Sequence, residues 1–155
     1  KTFDRAVKLL AAKPRSVAEL RERLLRGKNT NEEAVETVIA RLREYGYLND
    51  ERFAFSYASY KVKQKPVGRR RLERDLKFKK IDSGVANEAL EIVFTETPEE
   101  QLIDQAIAKR LRIRGKPKNR AEAKSLFDHL LRQGFQFELV SDKVRSLATD
   151  YADED

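Results

Sequence analysis

Helix-starting and helix-ending residues recur so often along this 155-residue chain that no element between them can be long. Ser16-Val17-Ala18-Glu19 and Thr30-Asn31-Glu32-Glu33 have the form of a capping box, in which a hydroxyl accepts from one orphan N–H and a glutamate from another. Thr97-Pro98-Glu99-Glu100 puts proline at the first helical position, where its missing N–H costs nothing, and Asn119-Arg120-Ala121-Glu122 repeats the cap-plus-acid spacing. Gly27, Gly46 and Gly134 each follow an apolar-periodic stretch, where a left-handed residue would close a helix. Between these marks the apolar period is three to four, as in Val35, Val38, Ile39, Leu42 and in Leu126, Phe127, Leu130, Leu131. Period-two alternation is limited to fragments at 61–63 and 135–137, so essentially no sheet is expected. The predicted helices are 2–12, 16–26, 31–45, 50–64, 68–79, 83–94, 97–113, 119–133 and 137–149.

One outline recurs about every 50 residues: a cap, a short helix with paired leucines, a turn and a second helix. Leu20, Leu24 and Leu25 lead into Val35 and Val38, and Leu72 and Leu76 lead through Ile81 into Val85 and Ala89. Leu130 and Leu131 lead through Phe135 into Val140 and Val144. The expected fold is all-α, an elongated array of tandem three-helix repeats, each with a small core completed by its neighbour. The expected divisions are an N-terminal helix at 1–15, repeats at 16–66 and 67–115, and a third repeat at 116–155. The acidic tail at 150–155 reads as a frayed, solubilising end.

Composition removes several classes of function. With no cysteine there is no disulfide, thiolate nucleophile or thiolate-held metal. The longest apolar runs, such as Leu9-Leu10-Ala11-Ala12, fall far short of the ~20 residues that cross a bilayer. No signal segment opens the chain, and a soluble cytoplasmic monomer with no membrane association is expected. Because the chain opens at Lys1 rather than Met, residues before it are expected to have been removed or left out. Its one histidine, His129, lies between the apolar pairs Leu126-Phe127 and Leu130-Leu131, on the edge of a helix's buried face, which points to a structural or surface role rather than a catalytic one. Gly115-Lys116 lacks the upstream glycine of a phosphate-cradling loop, because Arg110 stands there. No enzymatic activity, metal or cofactor is expected.

The formal charge of +7 is strongly segregated. Residues 61–80 hold ten Lys or Arg against two acids, and 109–120 hold seven against none. The stretch 81–108 sums to −7 and 121–155 to −4. Two such basic windows attract polyanions, either nucleic acid or an acidic protein surface. In the first window the candidate binding residues are Lys65, Arg69, Arg70, Arg71, Arg74 and Lys77. On a helix begun near Gly68, Leu72 and Leu76 face inward while Arg70, Arg74 and Lys77 form a positive stripe elsewhere. The second window contributes Lys109, Arg110, Arg112 and Arg114, at a helix end followed by a Gly-Lys-Pro loop. Arginine suits bidentate contact with phosphate and carboxylate alike, so the stripe does not choose between DNA and protein. Tyr45, Tyr47, Phe53, Phe55, Tyr57 and Tyr60 cluster around a helix junction, and read first as core packing and second as a base-stacking platform.

Three runs resemble the RecX family of bacterial RecA modulators. The opening pattern is Ala6-x-x-Leu9-Leu10, Arg15-Ser16-x-x-Glu19-Leu20, Leu24, Gly27, Leu42 and Gly46-Tyr47-Leu48-Asn49-Asp50-Glu51-Arg52-Phe53-Ala54. Gly68-x-Arg70-Arg71-Leu72-x-x-Asp75-Leu76 with Ile81 resembles the family's second unit, and Arg132-Gln133-Gly134-Phe135 its third. Two departures stand out: Lys80 replaces the usual glycine before Ile81, so the turn there is open to closing differently, and Leu72 stands where isoleucine is common. The resemblance implies a protein that binds the RecA protein and its DNA filament and restrains filament growth, strand exchange and co-protease activity. Combined with the basic stripe, this leads to the expectation that Arg69, Arg70, Arg71, Arg74 and Lys77 line a concave face that meets acidic filament surface or filament-bound DNA phosphates, with weak direct nucleic-acid binding besides. The alternative reading is a helical, transcription-factor-like DNA-binding protein that inserts one helix into the major groove.

Overall fold

The computed structural model describes residues 1–152, with side chains as far as 148, and the acidic end expected at 150–155 falls outside the described side chains. Among the described residues there are nine α-helices and no strands. They are α1 (Thr2–Ala12), α2 (Val17–Leu25), α3 (Glu32–Glu44), α4 (Asp50–Gln64), α5 (Arg69–Phe78), α6 (Ser83–Glu96), α7 (Glu99–Arg114), α8 (Arg120–Arg132) and α9 (Phe137–Ala152).

Local chemistry explains most of the boundaries. The Ser16 capping box is complete: Ser16 Oγ accepts from Glu19 N at 3.1 Å, and Glu19 Oε1 accepts from Ser16 N at 3.2 Å. Asn119 Oδ1 likewise accepts from Glu122 N at 2.9 Å. The other two expected caps differ. Asn31, not Thr30, caps α3 by accepting from Ala34 N at 2.8 Å, because the Thr30 hydroxyl is engaged with that of Thr2. Pro98 is itself the N-cap of α7, and Thr97 closes α6 instead.

Helix ends follow the same logic. Gly46 and Gly134 are left-handed, with φ of 78° and 93°. Gly27 is not; it is small because the Arg5 guanidinium lies over it and donates to Leu24 O and Arg23 O at 3.2 and 2.9 Å. Lys80 takes φ 60°, with Ile81 N donating to Leu76 O at 3.0 Å. Lysine therefore closes α5 as Gly134 closes α8, despite the cost of a Cβ in that region.

Three apolar cores divide the helices into consecutive threes. Leu20, Leu24, Val35, Ile39 and Leu42 close over Ala6 in the first unit, α1–α3. Leu72, Leu76, Leu90 and Val93 pack with Ala54, Ala58, Ala86 and Ala89 in the second, α4–α6, whose alanines let α4 and α6 run close together. Leu102, Ile103, Leu126, Leu130, Phe135 and Val140 form the third, α7–α9. Each unit thus begins one helix earlier than the divisions at 16, 67 and 116 imply, because Ala6 on α1 and the alanines of α4 are buried with the helices that follow them.

The joints between units differ in kind. At the first, Ser16 Oγ donates to Lys79 O at 2.7 Å and Val17 N to Asp50 Oδ1 at 2.8 Å, with Lys79–Glu19 and Lys80–Glu22 ion pairs alongside. At the second, Val62 and Phe94 pack against both neighbouring cores. There Gly68 N donates to Gln133 O at 2.8 Å and Arg70 N to Gly134 O at 3.0 Å. A Cβ on Gly68 would sit 2.2 Å from Gly134 C, so the two backbones touch. Helix α5 therefore bridges the two flanking units, its start docked on the third and its end on the first. The accessible surface is 10304 Å², about a quarter above the roughly 8,000 Å² of a compact monomer of this mass, as units in series require.

Candidate polyanion interface

Three arginines open α5, where the helix dipole disfavours cations by about 0.3–1 kcal/mol each. Two of them are held by partners. Arg69 pairs with Glu73 and Glu91, both at 3.2 Å, and Glu99 Oε1 accepts from its backbone N–H. Arg71 Nη1 donates to Gln133 Oε1 at 3.0 Å, at the carbonyl end of α8, where a cation is favourable. These two side chains are half-buried and structural.

Arg70, Arg74 and Lys77 are exposed and form no ion pair among the described residues. They stand at the three-and-four spacing of one helical face. Phe78, four residues after Arg74, ends that face and is 89% exposed. Charge patterning alone does not single it out, although Leu72 and Leu76 already define the inward side and place position 78 outward. Lys65 lies just before this helix, exposed and also without an ion pair among the described residues.

In the second window, Lys109, Arg112 and Arg114 are exposed on the last turns of α7. Arg110 folds back onto α8, with Nη1 3.3 Å from His129 Nδ1 and Nη2 3.4 Å from Ser125 Oγ. Burial lowers the pKa of Arg110, and repulsion from Arg114 and Arg132 lowers it further. Burial likewise lowers the pKa of His129, followed by the charges of Arg110, Arg132, Arg114 and Lys109. Neutral His129 is thus the acceptor that tolerates this crowd of cations. Arg132 belongs to the crowd and was hidden in the sequence by the net acidity of 121–155. Both windows reach the last turn of α8, Arg71 through Gln133 and Arg110 through His129.

Because His129 is the only histidine, its ring proton gives one resolved NMR titration. The midpoint is expected below 6.5 in the free protein and should rise when a polyanion neutralises Arg110, Arg114 and Arg132. A folded pKa below the unfolded one means that the unfolded chain takes up the proton first. This contribution to stability is therefore full above pH 6.5 and is lost as pH falls from there through the folded midpoint.

The aromatic cluster is divided. Phe53, Phe55 and Tyr57 pack against the second core, whereas Tyr45, Tyr47 and Tyr60 are exposed. Tyr57 OH donates to Asp75 Oδ2 at 2.9 Å, and burial with that carboxylate raises its pKa far above the usual phenol range. No group of three or more metal-ligating side chains occurs among the described residues, and none of their helices is long and apolar enough to cross a membrane.

Comparison with known proteins places this arrangement. Residues 3–42 match the family description "RecX, first three-helix domain" and residues 49–90 match "RecX, second three-helix domain", in register with the first two cores. The regulatory protein RecX of Bacillus velezensis is 34% identical over the whole chain, which spans 57% of that relative. RecX of Amycolatopsis mediterranei is 30% identical over 94% of this chain and 82% of its own length. The crystal structure of RecX from Lactobacillus salivarius superposes with a TM-score of 0.81 at 21% identity, covering 96% of this chain and 95% of that one. With half its length matched by family domains and relatives aligned across the rest, the chain belongs to the RecX family of regulatory proteins.

Proposed function

We propose that this protein binds RecA on single-stranded DNA through the exposed face of α5 and inhibits filament growth, and with it strand exchange and co-protease activity. The observation that carries the reading is the Arg70–Arg74–Lys77 stripe ending in exposed Phe78, on a helix pinned at both ends. A cationic stripe alone would suit a phosphate backbone, but a bare phenylalanine beside it suits an acidic protein surface with an apolar pocket. The family name adds the regulatory role, while RecA as partner rests on the resemblance. Bound along the filament, an array of this kind shifts the equilibrium toward whichever filament state it holds more tightly.

Insertion of α5 into a major groove is disfavoured. Helix-turn-helix readers present the N-terminal residues of the recognition helix to base edges, whereas here Gly68 is buried against Gln133 and Gly134.

The test is to add the chain to RecA assembled on single-stranded DNA with ATP, following ATP hydrolysis and filament length together. Loss of hydrolysis and shortening of filaments at sub-stoichiometric protein are expected. Unchanged filaments with a compatible RecA, together with tight, sequence-selective binding to naked duplex, would overturn the reading.

A further inference from the structure

A cleft of about 660 Å³ opens at the joint of the first two units, between the α1–α2 connection and α4. Its floor is aromatic: Phe53 and Tyr57 stack with ring centroids 6.2 Å apart and planes at 16°. Tyr57 cannot swing away, because its hydroxyl is tied to Asp75. Tyr47 and Tyr60 stand on the rim, 67% and 59% exposed.

Four cations line the same cleft and no Asp or Glu does. Arg15 Nε donates to Leu9 O at 3.2 Å and Arg52 Nη2 to Gly46 O at 2.6 Å. These carbonyls fix the two guanidinium groups without neutralising them. Lys13 is exposed and forms no ion pair among the described residues. Lys79 Nζ lies 5.3 Å from the Tyr57 ring centre and 5.9 Å from that of Phe53, with Glu19 3.7 Å away on its other side.

We propose that this cleft is a subsite for an unpaired nucleotide of single-stranded nucleic acid, with a base against the tyrosines and phosphates on Lys13, Arg15 and Arg52. Flat π surfaces interleaved with uncompensated cations match a ligand that carries a flat ring and an anion on each repeat. A duplex keeps its bases inside the stack and leaves the rings unused, and a free phosphate would also leave them unused. The subsite is separate from the α5 face and needs no RecA, so it stands or falls independently of the filament reading.

The test compares two fluorescein-labelled probes of equal length by anisotropy, an oligothymidylate and an abasic phosphodiester. The native chain should bind the thymidylate about tenfold or more tightly than the abasic probe, the range expected for base–aromatic stacking. The double substitution Tyr47→Ala, Tyr60→Ala should abolish that preference while keeping the abasic affinity. Both side chains are exposed, so an unchanged circular-dichroism melt is expected to confirm the fold. Equal binding of the two native-chain probes, absence of binding, or a preference that survives the double substitution would overturn the proposal. An oligoglutamate peptide that binds as tightly as thymidylate and weakens with the same substitutions would also overturn it, and would assign the cleft to a protein ligand.

Discussion

Changing Arg70, Arg74 and Lys77 together to glutamate is expected to weaken binding to RecA-coated single-stranded DNA by about a hundredfold or more. Each charge-assisted hydrogen bond to the filament is worth roughly 1.5 kcal/mol, and reversing the charge adds repulsion where there was attraction. Folding should be unaffected, since the three side chains are exposed and form no ion pair among the described residues. Glutamate at position 70 would even suit the positive end of the α5 dipole. Equilibrium binding at two salt concentrations with a parallel thermal melt is the measurement. Where the stripe meets phosphates, the variant also loses roughly two to three units of salt slope; where it meets protein carboxylates, the DNA-derived slope persists. Retained affinity with a retained melt would remove α5 as the binding face. Arg69 and Arg71 are left out because Glu73, Glu91 and Gln133 give them structural work, and reversing them would confound affinity with folding.

Gly134→Ala is expected to be strongly destabilising, because it combines a steric clash with a left-handed backbone. An added Cβ would meet Arg71 N and Arg71 Cβ, both at 2.4 Å, on a backbone with φ +93°. Gly68→Ala attacks the same junction from the other side, 2.2 Å from Gly134 C and 2.3 Å from Phe135 N. Backbone atoms cannot rotate aside, so each substitution should cost about 3 kcal/mol or more and lower the melting temperature by roughly 10 °C. Gly46→Ala is the control. Its φ is +78° but nothing lies within 4 Å of its Cβ position, which leaves only the ~1 kcal/mol of a left-handed side chain. Calorimetry of the three variants separates crowding from strain, and equal melts for Gly68→Ala and Gly46→Ala would contradict the close approach of the two backbones.

Helix positions were legible because caps and stops act within four residues. Ser16 with Glu19, Asn119 with Glu122, and Gly46 all do locally what their spacing indicates. Where the sequence misled, a distant group had intervened. Gly27 answers to Arg5, and the Thr30 hydroxyl to Thr2. The unit boundaries were displaced because the spacing of leucines says which residues are buried, not with which helix they share a core. The site shows the same division. Its cationic windows are written in composition, but which arginines stand free depends on Glu91 and Gln133, 22 and 62 residues away. Arg132 was invisible for a further reason: its charge matters through Arg110 and His129, which only folding brings beside it.

The unlike joints lead us to expect two cooperative blocks. Units two and three share the partly buried side chains of Val62 and Phe94 and two backbone hydrogen bonds, so opening either one uncovers part of the other's core. The first joint carries the Ser16–Lys79 and Val17–Asp50 hydrogen bonds, the first of them on a buried hydroxyl, and two ion pairs whose side chains are partly open to water. Sub-global opening should therefore begin there, at a free energy below that of the whole. On this view α5, about 15 Å long, is the link between the two blocks: its start is fixed to the third unit by Gly68 and Arg70, and its end carries the joint to the first through Lys79.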